Sequence, residues 1–213
     1  MLISPRLVGF DFDGVIIDSI RCMEMSWNLT AKEFSLDIPF EAYARNIGLP
    51  FEAILSSLSV PSTLSQKVKS RYLSLSQEFS SLVKPFPEAL DFLLRASCSD
   101  SVKVCVITSK PKLRAQALMA SLGLGHVFLV CPEDVGRGKP FPDPLIFAND
   151  FFSIRSDVSL YIGDMNSDYL AALSAGWHFA FAAWGYGEIS HDPTCQPITY
   201  LPSPDSLDRI IKI

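Results

Sequence analysis

No stretch of these 213 residues approaches the ~20 consecutive apolar positions that a membrane helix needs, so the chain is expected to cross no bilayer. Basic residues are too few and too scattered for a polyanion-binding surface. The net charge is −5, and the densest basic group, Lys67, Lys69 and Arg71, reads as the solvated face of a helix, which argues against a nucleic-acid partner. CxxC pairs are missing, and the five cysteines (Cys22, Cys98, Cys105, Cys131 and Cys195) make an odd count. Several lie in apolar runs where a thiol packs as a small hydrophobe, which fits a reducing compartment rather than a disulfide scaffold. Histidine is scarce: His126, His178 and His191 have no metal-ligand spacing, so core or surface roles are expected for them. Repeats and low-complexity tracts are absent too. Only ten residues precede Asp11, fewer than the ~15–30 of a removable signal, so a cytoplasmic protein without a leader is expected.

What is present is an ordinary folded composition, 48% hydrophobic and 19% charged, with length for one full core and a small second one. Short β-branched and aromatic runs recur at Arg6 to Phe12, Val102 to Thr108, His126 to Val130, Val158 to Asp164 and His178 to Trp184. Their nearly continuous apolar character predicts strands buried on both faces, as in a parallel sheet. Helical patterns separate the later runs, at Pro111 to Leu122 ahead of Gly123, Pro142 to Phe152, and Ser167 to Ala175 ahead of Gly176. The aromatic stripe of Phe147, Phe151 and Phe152 is expected to pack in the core. Alternating β and α units predict a doubly wound, Rossmann-like α/β fold.

Between Ile16 and Val83 that alternation stops. Four successive helical stripes fill the interval: Ile20, Met23, Trp27 and Ala31; Phe40, Tyr43, Ala44 and Ile47; Phe51, Ile54, Leu55 and Leu58; and Leu64, Val68, Leu75, Phe79 and Leu82. No strand is predicted there. The simplest organisation is a core domain of residues 1–15 and 84–213 with an α-helical cap domain, residues 16–83, inserted after the first strand.

In open parallel sheets ligands bind beyond the carboxyl ends of the strands. The predicted strand ends carry Asp11-Phe12-Asp13, Thr108-Ser109 and Gly163-Asp164 with Asp168 following, while Lys139 lies in an intervening loop. Carboxylates with open positions suit Mg²⁺, an oxygen-seeking ion commonly completed by substrate phosphate, and Asp11 and Asp164 are candidates to hold it. Asp11 is also a candidate nucleophile towards phosphorus. Asp13, two residues on, is a candidate general acid and base, and Gly14 makes a bend of the chain there cheap.

The segments "DFDGVIIDS" (Asp11 to Ser19), "VITSKP" (Val106 to Pro111), "GKPFPDP" (Gly138 to Pro144), "YIGDMNSD" (Tyr161 to Asp168) and "AAWGYG" (Ala182 to Gly187) together resemble the haloacid dehalogenase-like hydrolase superfamily, in its helical-cap phosphatase branch, similar to phosphoglycolate phosphatases. Each motif alone is weak, but their joint order is specific. The resemblance implies a phosphatase that hydrolyses a small-metabolite phosphomonoester through an aspartyl-phosphate intermediate. Asp11, Asp13, Thr108 and Lys139 would be its catalytic residues, and Asp11, Asp13 (through its carbonyl), Asp164 and Asp168 would hold Mg²⁺. Gly14, Thr108, Ser109 and Lys139 would meet the substrate. Ser109 and Trp177 depart from residues frequent in close relatives. In the cap, Arg45 at a helix end is a candidate to enter the cleft and touch the substrate; an ordinary helix end is the alternative. Lys110 stands between a phosphate contact and a loop charge. A monomer or homodimer acting on a small phosphorylated metabolite is expected. Two other functions use the same residues: a sugar phosphomutase, and a non-catalytic binding module, which would show an eroded motif, and none is visible. Dehalogenation is disfavoured, because similar dehalogenases need no metal and lack an acid at the position of Asp13.

Overall fold

A computed structural model describes residues 4–189 and 197–213, so His191 and Cys195 lie outside the described residues. From the N-terminus the elements are β1 (Leu7–Phe10), β2 (Ile17–Asp18), α1 (Ile20–Glu33), α2 (Phe40–Ala44), α3 (Phe51–Ser57), α4 (Ser62–Glu78), β3 (Lys84–Pro85) and α5 (Pro87–Ser97). There follow β4 (Lys103–Ile107), α6 (Lys112–Ser121), β5 (Phe128–Val130), α7 (Asp143–Phe152), β6 (Ser159–Gly163), α8 (Asn166–Ala175), β7 (His178–Ala182), β8 (Ile198–Leu201) and α9 (Leu207–Ile210). Six strands form one sheet in the order β5-β4-β1-β6-β7-β8, every neighbouring pair parallel. The chain builds outward from β1 to β5, then returns to the other side of β1 with β6. The switch in strand order therefore falls between β1 and β6, where an open α/β sheet leaves a crevice.

The apolar strands are continuous because each face has its own cover. Val8, Phe10, Val104, Val106 and Ile162 pack with Phe92 and Leu93 of α5 and Met119 of α6. Leu7, Cys105, Ile107 and Tyr161 pack with Leu145 and Ala148 of α7 and Ala171 and Ala172 of α8. The two-residue period of a strand thus divides its side chains between two cores. Gly9 interrupts β1 for a steric reason: a Cβ there would meet Tyr161 Cδ2 at 2.9 Å and Trp177 Cζ3 at 3.1 Å. The indole of buried Trp177, the larger residue noted after Gly176, donates to Asn149 Oδ1 at 2.6 Å, so its polar atom is satisfied.

A third cluster joins Met23, Trp27 and Ala31 of α1 to Tyr43 of α2, Ile54 and Leu55 of α3, and Val68 and Tyr72 of α4. Ile16 and Ile17 pack instead with the sheet, so helical packing begins at α1. Contrary to the sequence reading, the interval holds one strand: β2 pairs antiparallel with β3 where the chain leaves and rejoins the sheet region. Two residues are too few to show a period, and this pairing exists only because distant segments meet. β8 likewise lies outside the predicted strands. A second correction concerns the aromatic stripe of α7. Phe151 is 59% exposed and stacks on Phe128 at 3.7 Å between ring centroids, at the sheet edge rather than in the core, while Phe152 packs against the core.

Candidate active site

Asp11 follows the last residue of β1, and its N–H continues the strand pairing by donating to Ile162 O at 2.8 Å. That places its carboxylate at the crevice. Gly14 adopts φ +85°, the left-handed region that glycine enters without cost, and the chain bends there. Its missing side chain also matters: a Cβ would fall 2.2 Å from Asp164 Oδ2. A Cβ at Gly185 would stand 2.3 Å from Asp164 Cβ, so glycines on two loops make the room in which Asp164 sits.

Beyond the bend, Asp13 Oδ1 accepts from Ser19 Oγ at 2.5 Å and lies 3.0 Å from Lys110 Nζ. Lys110 is accordingly an ion-pair partner and not a solvated loop charge. Thr108 extends β4 through its N–H to Val130 O, and its Oγ1 accepts from Lys110 N at 3.1 Å. Ser109 Oγ donates to Gly48 O at 2.7 Å, tying the loop after β4 to the helical segment.

Lys139 is 1% exposed and spends its three ammonium donors within the protein. Nζ lies 2.8 Å from Asp11 Oδ1, 2.6 Å from Asp168 Oδ1 and 3.1 Å from the Tyr161 hydroxyl. Asp168 Oδ2 accepts the N–H groups of Asp164 and Met165, as a carboxylate does in the first turn of a helix. Asp168 therefore fixes both Lys139 and the start of α8.

Asp11, Asp164 and Asp168 each offer a carboxylate oxygen within 4.8 Å of the others, all buried. Asp164 Oδ2 accepts from Tyr186 N at 2.7 Å, but its Oδ1 is buried without a partner among the described residues. An orphaned anionic oxygen beside two more carboxylates, all from hard oxygen donors, fits a divalent cation such as Mg²⁺. Burial pushes the Asp11 carboxyl up to about 7; Lys139 opposes the shift, and the Asp168 and Asp13 charges add to it. Burial likewise raises Asp164, reinforced by Asp11 and Asp168. Lys139 is held well above its ordinary range, since Asp11 and Asp168 outweigh the burial that would lower it.

These shifts have a testable sign. Below pH ~4 Asp11 is protonated both folded and unfolded and contributes nothing. Between there and about 7 the unfolded chain releases a proton that the folded chain keeps, so metal-free stability falls as pH rises. A melting series from pH 4.5 to 8 in chelator should show that decline, and added Mg²⁺ should reverse it at pH 8. A metal-free Tm that climbs across the window would contradict the buried-carboxylate account.

Above the site lies a cavity of about 370 Å³. Asp11, Asp13, Ser19, Thr108, Ser109 and Lys110 form its polar floor, and Met23, Tyr43, Ile47, Ile54, Phe51 and Tyr72 contribute to its roof. Lys139, Asp164 and Asp168 sit behind that floor. Three residues expected to meet a substrate do not border the cavity: Lys139, behind the floor, Arg45 and Gly14. Arg45 is exposed, because Tyr43 and Ile47, four residues apart on one face, take the inward positions. Gly14 is buried and serves as space for Asp164. The sequence reading passed over Ser19, Arg114 and Tyr186. Ser19 and Tyr186 lie inside two of the family-like motifs, "DFDGVIIDS" and "AAWGYG", which was the available signal; Arg114 had none.

Comparison with known proteins supplies an independent view. The family model described as haloacid dehalogenase-like hydrolase matches residues 8–182. A phosphoglycolate phosphatase of Aquifex aeolicus is 27% identical over 196 residues, 87% of this chain and 88% of that protein. One of Xylella fastidiosa is 28% identical over 214 residues, 96% and 92% of the two chains. In fold, the chain is similar to the crystal structure of a hydrolase from Pseudomonas syringae, with a TM-score of 0.85 over 95% of this chain and 96% of that one at 22% identity.

Proposed function

The chain belongs to the haloacid dehalogenase-like hydrolases, and from that premise we propose that it is a Mg²⁺-dependent phosphatase, hydrolysing phosphomonoesters of small metabolites in the manner of the phosphoglycolate phosphatases it is similar to. The observation that carries this reading is that Asp11 and Asp13 border one cavity together with Thr108, while a buried cation stands directly behind Asp11.

Asp11 attacks phosphorus, and the ester oxygen leaves with a proton from Asp13. Water then attacks the phosphorus of the aspartyl phosphate, giving its proton to Asp13 and restoring Asp11. The residues that would hold Mg²⁺ are Asp11 and Asp164, the Asp13 carbonyl, and Asp168 directly or through water. Bound there, the ion supplies positive charge that lets an anionic nucleophile and an anionic ester coexist. Lys139 orients Asp11 and balances its charge; Thr108 and the backbone N–H after it hold phosphoryl oxygens. Ser19 and Lys110 orient the Asp13 carboxyl between its two roles. Residues 16–83 act as a cap domain on the core of 1–15 and 84–213, excluding water during the first transfer. No helix among the described residues is long and apolar enough to cross a membrane, and a cytoplasmic monomer or homodimer fits the small-molecule role.

The test is phosphate release from a panel of metabolite esters, with Mg²⁺ or with chelator. Release that requires Mg²⁺ is expected. A protein inert across the panel would overturn the reading, and conversion of one sugar phosphate isomer to another without net phosphate release would replace it with a mutase.

A further inference from the structure

Three cations border the cavity, and two are matched. Lys110 pairs with Asp13, and Lys69 forms an ion pair with Glu52. Arg114, in the first turn of α6, is different. Its Nη2 donates to Ser76 O at 2.8 Å and lies 3.6 Å from the Cys22 thiol, yet the guanidinium meets no carboxylate among the described residues. The Glu133 carboxylate, also on the cavity wall, accepts the backbone N–H of Lys112 instead.

A guanidinium offers five N–H donors in a planar fork shaped for carboxylate or phosphate. One carbonyl and one thiol use only part of that capacity. Ser76 O belongs to the last turn of α4, whose carbonyls lack partners inside the helix and carry the negative end of its dipole. That bond holds Arg114 in place across the seam between α6 and the helical segment, and it leaves the positive charge uncompensated. The group is half-buried, where an unmatched charge is disfavoured. The roof residues Tyr43, Ile47, Ile54 and Tyr72 are uncharged and Lys69 is paired with Glu52, so among the described lining residues Arg114 is the cation left to balance an acid.

Resting on the phosphatase reading, we propose that Arg114 is a specificity-determining residue which receives a second anionic group on the substrate, so that the substrates are small phosphomonoesters carrying another acid a few atoms from the ester. Both ends of such a molecule fit within one cavity of about 370 Å³, its ester over Asp11 and its second acid against Arg114. A carboxylate and a second phosphate share the required chemistry.

Steady-state kinetics of the Mg²⁺-loaded enzyme separate the cases, with phosphoglycolate, 1,3-propanediol bisphosphate and ethyl phosphate as probes. Wild type is expected to favour at least one acid-bearing ester over ethyl phosphate by ~10-fold or more in kcat/KM, and the preferred probe tells carboxylate from phosphate. Arg114→Gln should raise KM for that ester ~10–100-fold with kcat little changed and ethyl phosphate unaffected, and Arg114→Lys should recover part of the loss. Equal losses on all probes would make Arg114 merely structural. Should Arg114→Gln not fold, the wild-type preference still decides: hydrolysis of ethyl phosphate at parity with both acids overturns this inference and leaves the phosphatase reading standing. Failure to hydrolyse any ester overturns both.

Discussion

Replacing Asp11 by asparagine should lower Mg²⁺-dependent phosphate release by at least ~10⁴-fold, the order seen when a nucleophile acting as part of a unit is removed. The fold should survive. Asparagine matches aspartate in shape, and its carboxamide oxygen can still accept from Lys139, which stands 2.8 Å from Asp11 Oδ1. Stability should even rise in metal-free buffer near pH 8, since the substitution removes one of three buried carboxylates; burial first, and their mutual repulsion second, raise Asp11 to about 7 and push Asp164 up as well. The paired measurements are phosphate release and thermal melting in chelator. A variant that keeps more than a small fraction of wild-type turnover would remove Asp11 from the chemistry.

The second large effect is expected from Lys139→Met, which keeps an unbranched apolar stem of similar length and deletes the ammonium. Asp11 and Asp168 would then face each other buried, without the ammonium that lies within 2.8 Å of both. Breaking a buried ion pair from one side costs ~3–5 kcal/mol, which for a chain of this size is a fall of about 6–20 °C in Tm. Activity should drop ~10²–10³-fold, as when one preorganised electrostatic contact to the reacting groups is lost. Acidification identifies the cause. Protonating Asp11 removes a charge that needs a cation, so the variant should regain part of its deficit between pH 8 and pH 6, whereas a packing defect would be indifferent to pH. A variant as stable as wild type at pH 8 would show that Lys139 does not hold the site together.

The strands around the switch point were readable because β1, β4 and β6 are covered on both faces, which forces unbroken apolar runs. β8 escaped because it is an edge strand with Tyr200 64% exposed and prolines on either side, so neither a run nor a clean alternation marks it. β2 and β3 are pairings between segments that approach each other only in three dimensions. The same distinction governs the site. Asp11, Asp13, Thr108 and Asp164 were visible because strand ends are sequence-local, and the topology alone brings those ends together. For Arg45 the sequence leaves both a cleft contact and an ordinary helix end open, because a helix-end position does not say which side of the helix Tyr43 and Ile47 will claim. Arg114 was invisible for the complementary reason: its meaning depends on Ser76, 38 residues away along the chain and across the seam. The role of Lys110 follows from its ammonium lying 3.0 Å from Asp13, a contact that no local pattern marks.

The cavity's two-part wall has an evolutionary corollary. Its reactive floor is built largely from strand ends that the sheet holds, whereas most of the roof hangs on four helices with their own packing cluster. Mutational drift in those helices is insulated from the groups that make and break bonds. Arg114, rooted below but clasping a roof helix, and Ser109, bonded to Gly48 O, are points where a change in the roof would be felt on the reactive side.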